Sequence, residues 1–329
     1  FSLVQTSGNL TLASALNLSS ATIRLTTSGA NANIDLGANA ITATSIYLTA
    51  AGNIIGTGTL TIGTSGSLNV TSSSGSIGTA SNAIAIARTS GIWASTNLIL
   101  SATNGSIYIK TATSDALAAL SAASFRLLAT GTFFLEQTAG TLTLASALTF
   151  PTATIIIKNN GAIQFNASAS ITAAAITLSA TSFTTANHSA YHLRAPSLSI
   201  TSSAGDIASE TSKLVISSAS SEVPDFTSLV VRTPTSNKAY LIRLGTKDTA
   251  TNALNLIKQS TSPNGTIIFY DQINPTQLLA TTSSATKKKQ YEGFVSQLLF
   301  NLLGSLGADC SKTGLLASLI AKPLCSLKL

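Results

Sequence analysis

Short apolar stretches recur along the whole chain, and they either alternate with polar residues or run continuously. Ile23-Arg24-Leu25 and Leu198-Ser199-Ile200 alternate, whereas Leu98-Ile99-Leu100 and Ile155-Ile156-Ile157 are continuous. Alternation indicates a strand with one buried face, and a short continuous run suits a strand that is covered on both faces. Because Gly, Asn and Ser separate these stretches, the pattern predicts short strands joined by sharp turns.

A four-residue element recurs through the first two thirds of the chain. It consists of a small or polar residue, Gly, any residue, and Ile or Leu. Most of its glycines are 21–23 residues apart, or twice that distance. A strand-only repeat of about 22 residues predicts the coils of a right-handed parallel β-helix, because WD40 and kelch repeats are about twice as long. The apolar residues of the element are expected to form one interior column: Leu10, Ile54, Ile77, Ile107, Leu142, Ile163 and Ile207.

A longer similarity predicts an internal duplication. Residues 1–24 match residues 133–156 with 15 identities in 24 positions, without a gap. The shift of 132 positions corresponds to six repeats of about 22 residues. We therefore expect the coils that begin at Phe1 and at Phe133 to be equivalent.

The composition excludes several classes of protein. Charged residues make up 9% of the 329 residues, the net charge is +7, and there are two cysteines. A coiled coil requires abundant Glu, Lys and Leu, and a disordered linker would not contain 44% hydrophobic residues. Two cysteines exclude a dense disulfide scaffold, and no apolar run is long enough for a transmembrane helix. Few side chains can transfer protons or bind metals, so the sequence predicts no enzymatic activity and no cofactor.

The pattern changes near residue 219. Four of the seven prolines, namely Pro224, Pro234, Pro263 and Pro275, lie between residues 220 and 280. The sequence therefore predicts three domains: a parallel β-helix over residues 1–218, a β-rich module over 219–286 and a helical tail over 287–329. The lysines 287–289 are interpreted as a solvated turn rather than as a nucleic-acid site, because aromatic residues are only 5% of the chain.

The tail contains two candidate features. Its first helix, residues 291–304, is predicted to present an apolar face that covers an open solenoid end or packs on a neighbouring module, with membrane binding as the alternative. Cys310 and Cys325 are expected to form one disulfide if the protein is extracellular, and two buried thiols if it is cytosolic. The apolar face is the predicted assembly surface: Phe294, Leu298, Leu299, Leu302 and Leu303.

Part of the repeat resembles a known family. Ser45-Ile46-Tyr47-Leu48 followed by Thr49-Ala50-Ala51-Gly52-Asn53-Ile54 is similar to the repeats of filamentous haemagglutinin and related large bacterial exoproteins. The resemblance covers about residues 1–218. It implies a right-handed β-helix, secretion to the outside or the surface of a bacterial cell, and a role in adhesion or in an extracellular fibre. It transfers no active-site residue.

Few side chains suggest chemistry. His188 and His192 are four positions apart, but this region is interpreted as a solenoid turn with no further ligand nearby. The close acidic pairs, Asp206 with Glu210 and Glu222 with Asp225, are the candidates for a polysaccharide-acting enzyme, but such enzymes bring several acids together on one face and residues 1–218 contain only five. The Thr-x-Thr pairs would suit an ice-binding solenoid only if they recurred on every coil. They are Thr42 with Thr44, Thr57 with Thr59 and Thr61, and Thr141 with Thr143.

The sequence favours a non-enzymatic extracellular structural protein. Phe1-Ser2-Leu3-Val4 enters the repeat at once, so the first coil is expected to be uncapped. We therefore expect the chain to form a head-to-tail homopolymer with copies of itself, a fibre or filament. The alternative is an adhesin stalk that binds host or surface glycans, and an ice-binding solenoid or a polysaccharide-acting β-helix enzyme is less favoured. Neither nucleic acid nor membrane is an expected partner.

Overall fold

A computed structural model of the chain describes residues 1–89, 97–111, 125–127, 130–186, 191–218, 226–244, 265–270 and 278–282. The described residues are all-β and contain no helix. The chain divides into two compact units, Phe1–Thr281 and Thr282–Leu329. Except for Thr282, every described residue belongs to the first of these units. The predicted helical tail therefore lies outside the described residues and stays a prediction.

The strands fall into two similar series, which we call the first copy (residues 1–127) and the second copy (residues 132–244). The first copy contains β1 (Ser2–Gln5), β2 (Leu10–Thr11), β3 (Leu16–Thr27), β4 (Ile34–Asp35), β5 (Ile41–Ala50), β6 (Ile54–Ile55), β7 (Thr59–Ile62), β8 (Leu68–Ser72), β9 (Ile84–Arg88), β10 (Leu98–Ala102), β11 (Ile107–Thr111) and β12 (Phe125–Leu127). The second contains β13 (Thr132–Gln137), β14 (Leu142–Leu144), β15 (Leu148–Asn159), β16 (Ile163–Phe165), β17 (Ile171–Ala180), β18 (Phe183–Thr185), β19 (Leu193–Arg194), β20 (Ser197–Ser202), β21 (Leu214–Ser217), β22 (Ser228–Arg232) and β23 (Lys238–Leu244). Two strands follow, β24 (Thr266–Tyr270) and β25 (Leu278–Thr282).

The strands stack in parallel, each on a strand of the preceding coil. On one face of the first copy the order is β1, β3, β5, β8 and β10, with every pair parallel. The corresponding face of the second copy runs β13, β15, β17, β20 and β22. The result is a β-solenoid of about nine turns. The predicted parallel β-helix is therefore confirmed.

The core consists of inward side chains that stack in columns along the solenoid. In one column Leu25, Leu48, Val70 and Leu100 lie on successive coils and are completely or almost completely buried. Their neighbours along each strand, such as Arg24 and Tyr47, point outward, so the alternation in the sequence is the alternation between core and surface. Each coil extends this core by one layer, since adjacent strands are about 4.8 Å apart.

The predicted interior column is partly correct. All seven of its residues are buried. However, they belong to two columns. One runs Leu10, Ile34, Ile54, Ile77 and Ile107, and the other runs Leu142, Ile163, Phe183 and Ile207.

The first column does not continue into the second column, which begins at Leu142. Beyond Ile107 it continues instead on Phe133 of β13. Ile107 stacks on Ile77 on one side and on Phe133 on the other. In the same strand Ile109 stacks on Ile84, which belongs to the next strand after Ile77 in its own coil. The single strand β11 therefore stacks on two separate segments of the preceding coil, namely the bridge residue Ile77 and strand β9. For this reason the step from Gly105 to Gly140 is irregular: Gly105 precedes Ile107 by two positions, whereas Gly140 follows Phe133 by seven.

The duplication is confirmed and extends over the whole strand series. β3 and β15 each bend at the same place, where the register shifts between Leu18 and Thr22 and between Phe150 and Thr154. The joint between copies also recurs. β11 stacks on β13, and β23 stacks in the same way on β24. Consequently β24 is the third occurrence of the strand represented by β1 and β13.

The boundary predicted at residue 218 does not end the parallel stack. β22 pairs with β20, β23 pairs with β21, and β24 pairs with β23, all in parallel. The parallel pairing thus extends to Tyr270, within the predicted β-rich module. Pro234, one of the prolines that suggested a new domain, lies in the connection between β22 and β23, where its missing N–H breaks no strand pairing.

The repeat glycines are required for two different reasons. Gly8 and Gly140, at equivalent places in the two copies, have φ angles of +70° and +78°, which favour glycine. Gly75 has no positive φ, but a Cβ atom there would lie 2.5 Å from Asn53 Oδ1. At Gly161 a Cβ atom would collide with the Gly140 carbonyl of the preceding coil. Most corners therefore need glycine because successive coils approach closely.

Candidate functional site: the open edge and the outer surface of the solenoid

The structure describes one residue of the candidate histidine pair, His192. His192 is completely buried, and its Nε2 lies 2.9 Å from the Ala186 carbonyl oxygen. Its Nδ1 accepts a hydrogen bond of 3.0 Å from the Val215 N–H, and its ring packs edge-on against Phe165. Both ring nitrogens thus bond to the backbone of the core. His188 lies outside the described residues.

The acidic candidates that are described, Asp206 and Glu210, take part in hydrogen bonds within the fold. Asp206 Oδ1 accepts hydrogen bonds from the Lys238 N–H at 2.8 Å and from Asn237 Nδ2 at 3.0 Å. Asp206 therefore ties one coil to the next. Glu210 accepts a hydrogen bond through its backbone carbonyl from the Lys213 side chain. Glu222 and Asp225 lie outside the described residues, and no group of three potential metal ligands occurs within the described ones.

The Thr-x-Thr pairs do not form a continuous ladder. Thr42 lies between Asn17 and Thr61 on the adjacent coils, and Thr61 lies next to Ala87. The Thr44 hydroxyl donates to the Ser19 carbonyl at 3.0 Å instead of joining a flat outer surface. The requirement for one Thr-x-Thr per coil is not met on this face.

A side-chain ladder, which sequence reasoning missed, runs along one corner of the first copy. Asn9 Oδ1 accepts the Asn33 N–H at 2.9 Å, and Asn33 Oδ1 accepts the Asn53 N–H at 2.6 Å. Asn53 Oδ1, Ser76 Oγ and Ser106 Oγ continue the ladder to the N–H groups of Ser76, Ser106 and Thr132 at 2.8, 3.0 and 3.0 Å. The sequence contains a signal that could have predicted this ladder, because each acceptor residue directly precedes a residue of the interior column.

Aromatic rings and cations pair on the outer surface of both copies. The Arg24 guanidinium lies 3.9 Å from the centre of the Tyr47 ring, one coil away. In the second copy Lys158 Nζ lies 5.5 Å from the Phe134 ring, and Tyr108 packs at 6.2 Å on its other side. Such contacts stabilise a cation over the negative face of a ring. Arg24 and Tyr47 each occupy an outward position in the alternating pattern of their own strand, and this could have predicted that they pair.

Two tyrosines have altered acidity for local reasons. The hydrogen bond with the Thr172 hydroxyl lowers the pKa of Tyr191, and the nearby Arg194 adds to this effect. Burial raises the pKa of Tyr270, and the charge of Glu210 acts in the same direction. Both rings also contact a cation: Lys213 Nζ lies 4.3 Å from the centre of the Tyr270 ring, and the Arg194 guanidinium lies 5.5 Å from that of Tyr191.

The most unusual surface is the edge of β1, which we call the open edge. Phe1 and Leu3 are 58% and 39% exposed, although they occupy inward positions next to Ile23 and Leu25. Leu18, which pairs with the buried Ala43 and is 37% exposed, is a further inward-facing apolar side chain that the described residues leave exposed.

The other candidate residues are not described. Cys310, Cys325 and the predicted assembly surface on the tail lie outside the described residues, so the disulfide and the helix stay predictions.

Within the described residues, no helix is long and apolar enough to span a membrane.

Comparison with protein-family models, with curated proteins and with solved structures finds no match to this chain. The resemblance to filamentous haemagglutinin repeats therefore stays a prediction from the sequence.

Proposed function

We propose that the protein is a non-enzymatic structural rod and that rods join head to tail into an extracellular fibre. The joint between the two copies supports this proposal. There β13 continues the parallel stack of β11 with no break in the core, and β24 continues β23 in the same way. A sequence that joins solenoid segments end to end within one chain has the surface chemistry to do so between chains. Such a heterologous contact propagates into a filament unless it closes a ring.

Electron microscopy of negatively stained full-length protein tests this proposal. We expect filaments or short chains of rods whose number increases with protein concentration. Deletion of residues 290–329 should leave single soluble rods, because this removes the predicted assembly surface. Filaments that persist after the deletion would show that the tail does not join the subunits, and single rods in the undeleted protein would contradict the proposed function.

The extracellular location is the second part of the proposal. The disulfide expected between Cys310 and Cys325 provides its test, because disulfides persist in oxidising compartments. Mass spectrometry of protein purified from its native source under non-reducing conditions should find the two cysteines linked. Two free thiols would count against both the disulfide and the location outside the cell.

A role as an adhesin stalk is the second candidate, and the outward rings favour it. Tyr108, Phe134 and Lys158 lie side by side on adjacent coils. Aromatic faces flanked by polar or charged groups can pack against the apolar face of a sugar. On a glycan array, Phe134→Ser should then reduce binding, whereas Ile156→Ser, in the same outward column, should not. Absence of binding by the unaltered chain would eliminate this candidate.

A further inference from the structure

The buried histidine of the second copy can keep both of its ring bonds only while the ring is uncharged. His192 is completely buried, its Nδ1 accepts the Val215 N–H at 3.0 Å, and its Nε2 lies 2.9 Å from the Ala186 carbonyl oxygen. A backbone N–H can only donate a hydrogen bond, and a carbonyl can only accept one. Nδ1 must therefore be without a proton and Nε2 must carry one, which is a neutral form of the ring.

The same histidine connects two short strands. The N–H of His192 donates to the Val215 carbonyl at 2.9 Å, so backbone and ring together bond to both backbone polar groups of Val215. β19 consists of only two residues, and its pairing with β21 begins one position after His192. In the first copy the equivalent residue, Thr59, is itself part of β7 and pairs with Ala85 of β9. The second copy therefore has a side-chain bond at the place where the first copy has a further residue pair of the sheet.

The described strands that pack against the ring offer no charge to a protonated histidine. β16, β17 and β21 contain no ionisable side chain. The charged residues beside β19 and β21 are Arg194 and Lys213, and both lie against outer rings, those of Tyr191 and Tyr270. Both are cations, which disfavour a second positive charge nearby. Protonation would therefore place a charge among apolar strands and set a proton on Nδ1 against the Val215 N–H.

We propose that His192 makes the second copy acid-sensitive. When the coil opens, the ring takes up a proton from the solvent, and β19 can then no longer close on β21. When the proton leaves, the coil closes again. The equivalent strands of the first copy, β7 and β9, contain no histidine and stay paired. This inference does not depend on head-to-tail assembly.

Proton linkage determines the direction and the size of the effect. A solvent-exposed imidazole has a pKa of about 6.5, and the closed coil excludes the proton that such a ring would bind. The bond to Val215 therefore contributes its full stability above this pH and progressively less as the pH falls below it. The open fraction of this coil should increase about 30-fold between pH 7.5 and pH 5.0.

Hydrogen exchange of the full-length chain, measured by mass spectrometry at several pH values from 7.5 to 5.0, tests the proposal. Protection factors are compared, because they remove the direct effect of pH on the intrinsic exchange rate. Carboxyl groups stay ionised over this range, so they do not contribute to the change. Protection of the peptide that contains Val215 should fall about 30-fold, and that of the first-copy peptide that contains Ala85 should not change.

Three variants separate His192 from other sources of pH dependence. His188→Gln removes the only other histidine of the chain and should leave the fall in protection unchanged. His192→Gln retains a side-chain acceptor for the Val215 N–H but does not titrate, so it should abolish the fall. His192→Thr introduces the residue of the first copy and should abolish the fall as well.

Protection at Val215 that is independent of pH in the unaltered chain would overturn the proposal. An equal fall in His192→Gln and His192→Thr, or in the first copy, would also overturn it, because another group would then be responsible. Carbon-13 NMR of the His188→Gln chain, whose one histidine is His192, needs no substitution at the ring itself. It should show the neutral form with the proton on Nε2 at pH 7.5, and a charged ring in a closed coil at pH 5.0 would contradict the proposal.

Discussion

The two copies build the same coils with different polar residues at the corners. In the first copy, asparagine and serine side chains at positions 9, 33, 53 and 76 accept N–H groups from the next coil. The equivalent positions of the second copy are Thr141, Ala162, Ser182 and Asp206, and Ala162 has no side-chain acceptor at all. The inward alternation of apolar residues is common to both copies. The solenoid is therefore specified by its core pattern, and the polar ladder adds stability to a fold that forms without it.

A second difference shows how one function is performed by different residues. At the end of β3 the Thr27 hydroxyl donates to the Ala32 carbonyl at 2.8 Å. At the end of β15, in the equivalent place, Asn159 Nδ2 donates to the Ala162 carbonyl at 2.6 Å. Both side chains are buried, so each donor needs an acceptor, and a corner carbonyl that also accepts a backbone N–H provides it. The corner therefore accommodates either an amide or a hydroxyl donor.

The largest expected effect tests whether the two cores are equivalent. Ile163→Asp in the second copy should lower the free energy of unfolding by about 3–5 kcal/mol, because it buries a charge without a partner. Ile34→Asp, at the same place in the first copy, should cost a similar amount. Gln164→Asp, on an exposed side chain next to Ile163, is the control. Urea denaturation measures all three, and an unchanged midpoint for Ile163→Asp would show that the register is wrong.

The buried histidine distinguishes the second copy from the first, where Thr59 occupies its place. His192→Leu should destabilise the protein by about 2–3 kcal/mol, because the Val215 N–H loses its acceptor in the core. Thr59→Leu, at an only partly buried position, should cost much less. Thermal denaturation compares the two variants. Equal effects would mean that the bond to Val215 contributes little.

The close approach of the coils at the corners predicts a smaller loss of stability when a corner glycine is replaced. Gly161→Ala should cost about 1–3 kcal/mol, because the new methyl group collides with the Gly140 carbonyl and the coils must separate. Gly63→Ala is the matched control, since its nearest neighbour would be 3.4 Å away and its φ is not positive. Denaturation midpoints of the two variants should differ clearly. Equal stability would show that the corner of the second copy can open at no cost.

The smallest effect measures the ladder itself. Asn53→Ala removes the acceptor of the Ser76 N–H and should cost about 1 kcal/mol. Ser182→Ala, at the equivalent place in the second copy, should cost less, because the Ser182 hydroxyl accepts no N–H group from Asp206 as Asn53 does from Ser76. Urea denaturation again provides the comparison. A larger loss for Ser182→Ala would mean that the second copy depends on its corner side chains more than the first.

The fold could be predicted from the sequence to a large extent. The alternation around Arg24 and Tyr47 and the glycine spacing predicted a parallel β-helix, and the match between residues 1–24 and 133–156 predicted the duplication. The single interior column was wrong because β11 serves two positions of the preceding coil. The sequence attributed the corner glycines to sharp turns, whereas Gly75 and Gly161 are explained by contacts with another coil.

The candidate site was less accessible to sequence reasoning. The helix and the cysteines of the tail were chosen from local patterns and stay predictions. The match between residues 1–24 and 133–156 showed that β1 and β13 are equivalent, but it did not reveal that β11 stacks on β13 and covers Phe133 and Leu135. That contact joins residues on separate coils.

The sequence by itself determined which side chains point inward, where the coils turn and that the series is repeated. These properties depend on neighbours along the strand, where side chains alternate with a period of two. Only the tertiary structure decided which coil stacks on which, why glycine is required at most corners, that the parallel stack extends to Tyr270, and which apolar residues stay exposed. These properties depend on contacts between residues that are a full coil or more apart, and the pattern within one strand does not specify them.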